Sequence, residues 1–261
     1  MGHQPDMLDQ RDGIINLLKP VGASSAQYVY KLRPIFGVRR VGHAGSLDPF
    51  AEGVLIGCVG RATKLVERLM GLPKRYAVTL RLGVTNQTFD TEQPFEPVAG
   101  AAPVSRRQVE EAAAEFIGCI PQVPPSFSAI RVNGRFSYHL AKEGKAVELA
   151  ARNVHIHRLH LEEYEWPTLK LAILCGRGTY VRAIARDLGR RLACGAVCER
   201  LIREAVGPFE IESSVELRSC PPETVRAALL PIDAAVALLD RWSAYDATSA
   251  RAEPSTASED S

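Results

Sequence analysis

Three runs of alternating apolar and polar residues constrain the fold of this chain more than any other feature. They lie at residues 75–84, 153–165 and 168–175. Strict alternation places the apolar side chains on one face of an extended segment, so each run predicts a half-buried strand. The last two runs flank Trp166-Pro167 and are predicted to pair as a hairpin. Helical patterns intervene without a regular strand–helix–strand period, which indicates an α+β fold with a mixed, mainly antiparallel sheet flanked by helices and loops.

Shorter apolar runs and capping residues complete the predicted outline. Continuous apolar runs predict buried strands at residues 13–18, 54–60 and 206–212. Side chains that can cap a helix precede helical patterns at four places: Ser24 or Ser25, Thr63, Ser105 and Thr179. The first helix is expected to reach about Arg33 and to end at Pro34. Residues 38–53 are predicted to form a long irregular loop, because they contain three glycines and a proline.

Length and composition bound the class of protein. Hydrophobic residues make up 46% and charged residues 24% of the 261 positions, which is typical of a globular chain. The sequence has no run near the roughly 18 apolar residues of a membrane span, and its polar start lacks the apolar core of a signal peptide. These features predict a cytoplasmic protein that does not associate with membranes. The predicted organisation is a flexible N-terminus at 1–12, a folded domain at 13–240 and a disordered tail at 241–261.

The six cysteines favour reduced thiols over disulfides or a metal site. Cys194 and Cys198 could share a helix face, but no second Cys/His pair at suitable spacing completes a zinc ligand set. His155 and His157 share one face of a predicted strand. Without a third ligand, they are better explained as a polar sheet face, and we predict no metal site.

A net charge of +2 conceals two strongly basic stretches. Residues 31–75 hold nine Lys and Arg against three acids, and residues 170–203 hold eight against two, so each stretch sums to +6. If the fold brings the two stretches together, they form the basic surface that a polyanion such as RNA requires. Two separate solvated helix faces explain the composition equally well.

The most unusual segment is GHAGSLDPFAEG at residues 42–53. Its glycines allow tight turns and close approach to a ligand, and Pro49 fixes the chain directly after Asp48. A carboxylate held on a rigid loop is costly to bury unless a cation pairs with it. Taken alone, Asp48 is better explained as an Asx-turn residue. A two-carboxylate glycosidase using Asp48 and Glu52 is disfavoured, because nothing in the loop would place them on opposite sides of a sugar.

The second candidate segment is GRGTYVR at residues 176–182. Two glycines before a predicted helix resemble a phosphate-binding turn, although the complete nucleotide-binding motifs are absent. Arg182 is either a surface arginine or the counter-ion of Asp48. Tyr76, which follows Arg75 at the start of a strand, is either a packing residue or an aromatic platform for a base.

Together, these segments resemble the TruB family of pseudouridine synthases, specifically the bacterial enzymes that modify uridine 55 in the T loop of tRNA. The matches occur in family order over most of residues 13–240. The matching segments are GIINLLKPVGASS (13–25), GHAGSLDPFAEGVL (42–55), RATKL (61–65), KRYAVTLRLG (74–83), VPPSFSAIRVNGRFSYHLAKEG (123–144), GRGTYVRAIARDLG (176–189) and LIREAVGPF (201–209). The resemblance implies the pseudouridine synthase fold, with 13–240 as the catalytic domain and 123–152 as an RNA-contacting insertion.

The resemblance also implies roles for individual residues. Asp48 matches the catalytic aspartate, Arg182 the arginine that pairs with it, and Tyr76 the tyrosine that packs against the target base. Three residues match the lining of the substrate pocket: His43, Tyr180 and Leu201. Two others match basic positions near the RNA: Lys19 and Lys64.

The implied reaction breaks the N1–C1′ bond of uridine, rotates the uracil and forms a C5–C1′ bond. It involves no redox change and no group donor, so we expect no cofactor. The chemistry needs a carboxylate, a cation to keep it ionised and an aromatic wall for the detached base. The base must be flipped out of a folded tRNA, and stacking and phosphate contacts offset that cost. The expected partner is the T arm of tRNA, with no obligate protein partner and a monomeric enzyme.

The chain departs from the family pattern at several positions outside the proposed chemistry. Ala44 and Asn86 stand where the family commonly has Thr and Asp, and Arg131 and Arg177 stand where it has Lys. Only 22 residues follow LLPIDAAVALL at 229–239. They are too few for the C-terminal RNA-binding domain of many relatives, so we predict that this domain is absent. Its absence bears on affinity for the acceptor arm of tRNA and not on the reaction.

Two alternatives to the tRNA synthase remain. The same scaffold could serve as a tRNA-binding folding module, for which Asp48 would be dispensable. It could also act on ribosomal RNA within a guide-RNA particle, but those relatives depend on the missing C-terminal domain and on partner proteins.

Overall fold

The computed structural model describes residues 11–132, 134–145 and 148–249. Its strands are β1 (Gly13–Lys19), β2 (Val41–His43), β3 (Glu52–Val59), β4 (Lys74–Leu82), β5 (Val84–Thr85), β6 (Glu96–Pro97), β7 (Gly118–Gln122), β8 (Arg131–Val132), β9 (Arg135–Phe136), β10 (Arg152–Glu165), β11 (Thr168–Cys175), β12 (Ala196–Val206), β13 (Phe209–Glu210) and β14 (Leu230–Pro231). Its α-helices are α1 (Ser25–Tyr30), α2 (Leu32–Phe36), α3 (Val66–Gly71), α4 (Arg106–Ala114), α5 (Ser137–Lys142), α6 (Val181–Arg191), α7 (Pro222–Ala227) and α8 (Ile232–Ser249). Short 3-10 helices lie at Gly60–Leu65 and Ile211–Ser213.

One large sheet organises the molecule. Its strand order is β14-β1-β3-β12-β4-β11-β10-β7, with β2 added to β3 and β13 to β12. Among these described strands, β12 runs parallel to β3, and the other neighbours pair antiparallel. The sheet and its helices confirm the predicted α+β class and the mixed, mainly antiparallel sheet. The hairpin of β10 and β11 around Trp166-Pro167 is also confirmed.

Three clusters of buried side chains hold the helices on the sheet. The largest joins α4 and α6 to the central strands around Val109, Ile184 and Leu171. A second gathers α3 and α8 against β1 and β3, and a third does the same for α1 and α2. The capping box of Ser105 and Gln108 starts α4 as predicted.

Several element boundaries differ from the sequence expectations. Ser24 caps α1 as predicted, but Pro34 does not end the helix, because it lies in the first turn of α2, where a missing N–H costs no hydrogen bond. The predicted loop at 38–53 contains β2 and the first residues of β3. The helix predicted to be capped by Thr179 begins at Val181, with Tyr180 at its N-cap.

The two ends of the chain were predicted to lack structure. Asp12, the last residue of the predicted flexible N-terminus, pairs with Arg61, whereas residues 1–10 lie outside the described residues. Helix α8 continues through residue 249, so disorder does not begin at residue 241 as expected. Buried Leu239 and half-buried Trp242 pack the helix against the cluster of side chains on β1 and β3. Residues 250–261 lie outside the described residues.

Candidate active site

The loop between β2 and β3 carries Asp48 and is held from two sides. Ser25 accepts a hydrogen bond from the Leu47 amide at 2.8 Å and donates one to the Leu47 carbonyl, also at 2.8 Å. The Gly22 amide donates to the carbonyl of Pro49 at 2.7 Å. These bonds fix the backbone on both sides of Asp48, whose side chain remains 32% exposed.

A glycine lets the end of this loop lie against the central strand. Gly53 has φ +117°, and a Cβ on it would lie 2.2 Å from the carbonyl oxygen of Arg203 on β12. This close approach brings β3 and β12 together in the parallel pairing directly after the Asp48 loop.

Arg182 holds the carboxylate of Asp48 in a two-point contact. Its Nε lies 2.8 Å from Oδ2 and its Nη2 lies 3.0 Å from Oδ1, the bidentate geometry that favours an arginine–carboxylate pair. The arginine lies in the first turn of α6 and is only 3% exposed. Burial lowers the pKa of the guanidinium, but nearby carboxylates, Asp48 first among them, raise it above its usual value overall.

Asp90 provides a second carboxylate that pairs with Arg182, and no motif in the sequence indicated this pair. Its Oδ2 lies 3.2 Å from Nη1 of Arg182, and the side chain is 2% exposed. Burial raises the pKa of Asp90, although hydrogen bonding from Thr88 and the charge of Arg182 oppose that shift. Asn86 holds this turn by donating to the carbonyls of Asp90 at 2.7 Å and Gln93 at 3.0 Å, which an aspartate could not do.

A cavity of about 380 Å³ opens beside Asp48. Tyr76, Tyr180 and Leu201 line it. Tyr76 comes from β4 and Leu201 from β12, which are neighbouring strands. Burial raises the pKa of Tyr76 above its usual value, so its phenol stays protonated at neutral pH. The cavity therefore combines an accessible carboxylate with an aromatic and aliphatic wall.

Cations from both basic stretches meet at this cavity. Lys74 comes from the first stretch, and Arg177 and Arg203 come from the second. Arg203 is 1% exposed and donates through Nε to the Val54 carbonyl at 2.6 Å and through Nη2 to the Gly45 carbonyl at 3.1 Å. The convergence is partial, because several arginines of the two stretches form ion pairs: Arg61 with Asp12, Arg68 with Asp240, Arg75 with Glu210, Arg177 with Glu67, Arg191 with Glu115 and Arg200 with Glu52.

Residues 33–181 match the family described as TruB family pseudouridylate synthase (N terminal domain). The chain belongs to the TruB family. This membership confirms the family predicted from the motifs.

Curated relatives of this TruB-family chain match it over most of its length. A tRNA pseudouridine synthase B of Dehalococcoides mccartyi (strain CBDB1) is 38% identical over 237 residues, covering 89% of this chain and 79% of the relative. One of Phocaeicola vulgatus is 42% identical over 209 residues, covering 78% of this chain and 89% of the relative.

Solved structures show the same fold. The crystal structure of a Cbf5-Nop10-Gar1 complex contains a chain with a TM-score of 0.67 and 25% identity. The match covers 89% of this chain and 64% of that one, so this chain spans less than two thirds of the solved chain.

Lys19 of this TruB-family chain does not lie where a phosphate-binding lysine would. It is 0% exposed, and its Nζ donates to the carbonyls of Pro20 at 2.9 Å, Ala23 at 2.8 Å and Pro49 at 3.5 Å. Burial lowers the pKa of Lys19 to about 8, although the charge of Asp48 opposes that shift. The ammonium group of Lys19 thus stabilises the backbone beside Asp48 through these hydrogen bonds. It is buried and is not accessible to a ligand at the protein surface.

The lowered pKa of Lys19 predicts a pH-dependent stability. Between pH 8 and the usual lysine pKa near 10.5, the unfolded chain binds a proton that the folded chain releases, so this lysine's contribution to stability rises with pH. We expect the free energy of unfolding of the wild type, minus that of Lys19→Met, to increase by up to about 3 kcal/mol across this range. Urea denaturation at a series of pH values measures the difference. A difference that is flat or falls with pH would contradict the assignment.

His43 and Lys64 are not among the described residues that line the cavity. His43 is half buried on β2, and its Nδ1 is buried without a hydrogen-bond partner in the described part of the chain. Burial, helped by Arg203, lowers the pKa of His43, which favours the neutral imidazole. Lys64 is exposed on the 3-10 helix Gly60–Leu65.

No three Cys, His, Asp or Glu side chains gather into a potential metal site anywhere in the described ranges. Cys198 lies on β12 and not on a helix shared with Cys194, so the helix face considered for this pair is wrong. None of the helices in the same ranges has the length and apolar character that a membrane crossing demands.

Proposed function

We propose that the chain is a tRNA pseudouridine synthase that isomerises uridine 55 of the T loop to pseudouridine. The observation that carries this proposal is the bidentate contact of Arg182 with a partly exposed Asp48 at the edge of a cavity walled by Tyr76 and Leu201. This arrangement supplies the three chemical needs of the reaction: a carboxylate, its counter-ion and a surface for the detached base.

The proposed reaction takes place on the sugar side of the target nucleotide. The N1–C1′ bond breaks, the uracil rotates while held against Tyr76, and a C5–C1′ bond forms. The proton on C5 is then lost to solvent, and N1 gains one, so the reaction is a net isomerisation. Asp48 acts on the ribose as nucleophile or base, and Arg182 balances its charge while keeping both carboxylate oxygens in a fixed orientation.

Contacts around the cavity support the binding of a flipped nucleotide. Arg152 and Arg177 are exposed at the cavity rim, where they can contact phosphate groups. Such contacts, with stacking on aromatic side chains, offset the few kcal/mol needed to flip a base. The cationic rim therefore fits an RNA substrate better than a neutral sugar.

The segment 123–152 is proposed to contact RNA as well. Arg182 donates to the Phe127 carbonyl at 2.9 Å, so one end of this segment is attached to the catalytic pair. Farther along, Phe136 and Tyr138 stack with ring centroids 5.5 Å apart, and the Arg131 guanidinium lies 4.7 Å from the Phe136 centroid. Clustered aromatic and cationic side chains are typical of surfaces that bind nucleic acid.

The relatives favour tRNA over ribosomal RNA as the substrate. The curated relatives named above carry the name tRNA pseudouridine synthase B at 38% and 42% identity, whereas the chain of the Cbf5-Nop10-Gar1 complex is 25% identical. We therefore propose that the protein acts in the cytoplasm as a monomer on the T arm of tRNA, without an obligate protein partner. The tRNA-folding module remains as a second activity that the same binding surface could support.

Tritium release from an unmodified tRNA transcript carrying C5-labelled uridine tests this function. We expect release by the wild type and none from a transcript in which cytidine replaces the T-loop uridine. A labelled ribosomal RNA fragment provides the comparison for the guide-particle alternative. Tight tRNA binding without any release would support the folding module and contradict the proposed enzyme.

A further inference from the structure

Ser128 carries an unpaired hydroxyl beside the cavity. The residue lies between β7 and β8, lines the cavity and is 5% exposed. Its Oγ is buried and has no hydrogen-bond partner among the described residues. A buried hydroxyl without a partner is unfavourable, so a partner supplied by a ligand would explain its place at a binding cavity.

Other hydroxyls around the site do have partners. Ser25 exchanges two hydrogen bonds with the backbone of Leu47, and Ser137 donates to the carbonyl of Ser126. The Thr179 hydroxyl donates to the Gly176 carbonyl at 3.1 Å. Ser128 therefore differs from its neighbours, although the same fold surrounds it.

The backbone of Ser128 is fixed by hydrogen bonds on both sides. Its carbonyl accepts from the Tyr138 amide at 3.1 Å, and the carbonyl of Ile130 accepts from the Ser137 amide at 2.7 Å. The preceding carbonyl, that of Phe127, accepts from Nη2 of Arg182 at 2.9 Å. The position of the hydroxyl is thus tied to the arginine that orients Asp48.

We propose that the Ser128 hydroxyl hydrogen-bonds the ribose 2′-hydroxyl of the target uridine. The proposal rests on the proposed synthase activity and names one contact within its substrate site. Nη2 of Arg182 donates both to the Phe127 carbonyl and to Oδ1 of Asp48. Ser128, which follows Phe127, therefore lines the same cavity as the carboxylate proposed to act on the sugar.

The chemistry of the cavity selects the 2′-hydroxyl over other groups of the nucleotide. Tyr76 and Leu201 provide the wall for the base, and the cationic rim provides for phosphate. A serine hydroxyl both donates and accepts, as does the 2′-hydroxyl, which is adjacent to the reacting C1′. The same group distinguishes RNA from DNA, so Ser128 would determine specificity for ribose.

The test compares two T-arm RNAs, one with uridine and one with 2′-deoxyuridine at the target position. Their dissociation constants are measured in the Asp48→Asn background, in which turnover does not interfere, with and without Ser128→Ala. We expect the ribose form to bind about tenfold more tightly when Ser128 is present, and at most about twofold more tightly when alanine replaces it. Ser126→Ala, in the same segment but outside the cavity lining, is the matched control and should keep the tenfold ratio.

Two further measurements separate this contact from a structural role. Ser128→Ala alone should lower kcat/KM on the ribose substrate by about tenfold, and its Tm should equal or exceed that of the wild type, since an unpaired buried hydroxyl is removed. A ribose-to-deoxyribose affinity ratio that Ser128→Ala leaves unchanged, or a lowered Tm with equal losses on both RNAs, would overturn the proposal. An inactive wild type would instead contradict the synthase activity itself.

Discussion

Asp48→Asn is expected to lower the rate of pseudouridine formation by about three orders of magnitude or more, with little change in tRNA affinity or Tm. Asparagine keeps the shape of the side chain and one acceptor for Arg182 but removes the charge that we propose acts on the ribose. The buried arginine would still face Asp90 at 3.2 Å, so its charge would not be left without a partner. Single-turnover rates at saturating enzyme, with binding and melting measured in parallel, test this expectation.

Glu52→Gln is the matched control for Asp48→Asn. Glu52 ends the same loop, is exposed to a similar degree at 31%, and pairs with Arg200 at 2.9 Å. Because neither residue of that pair is among the described residues that line the cavity, the variant should retain near-wild-type turnover. Substantial activity of Asp48→Asn would remove Asp48 from its catalytic role. Equal losses of activity in the two variants would instead support a two-carboxylate mechanism that uses Asp48 and Glu52.

Arg182→Met is expected to destabilise the fold by about 3–5 kcal/mol and to abolish activity. The substitution leaves Asp90 buried and Asp48 nearby without their shared cation. Burial already raises the pKa of Asp90, and losing the arginine raises it further. The folded variant then takes up a proton at a higher pH than the unfolded chain does, so its stability rises as the pH falls through that range. The difference in free energy of unfolding between the wild type and Arg182→Met should therefore be smaller at pH 5 than at pH 8. Urea denaturation measures this difference.

Arg186→Met provides a comparison on the same helix. Arg186 is 8% exposed and pairs with Asp187, whose side chain is 28% exposed and therefore partly solvated. Its loss should cost about 1–2 kcal/mol, because the carboxylate left behind can be hydrated. An Arg182→Met protein that is as stable as Arg186→Met would contradict the role of Arg182 as the shared cation of Asp48 and Asp90. A loss of stability that does not depend on pH would contradict it as well.

The strands with alternating apolar and polar residues were predictable because this alternation reflects the burial of one face of the sheet. β4, β10 and β11 follow their predicted runs closely. β12, at the centre of the sheet, was missed because its alternation is broken by register shifts between Cys198 and Arg200 and between Arg203 and Ala205. The buried Arg203 on β12 would also be expected at the surface from the sequence alone, since charged side chains are seldom fully buried.

The site was predictable only in part, for a related reason. The motifs and the family resemblance predicted that Asp48 and Arg182 form a pair, although 134 positions separate them in the sequence. Asp90 and Arg203 were missed because they act through long-range contacts with a guanidinium or with backbone carbonyls, which leave no local pattern. Lys19 matched a basic motif, but the structure buries its ammonium group among carbonyls.

Mapping pseudouridine at single-nucleotide resolution tests both the modification of uridine 55 and the catalytic role proposed for Asp48. Unmodified tRNA transcript is incubated with wild type or Asp48→Asn, treated with carbodiimide and read by primer extension. We expect one new stop assigned to uridine 55 with the wild type and none with the variant. Modification at other uridines with position 55 unchanged, or an equal stop with Asp48→Asn, would contradict it.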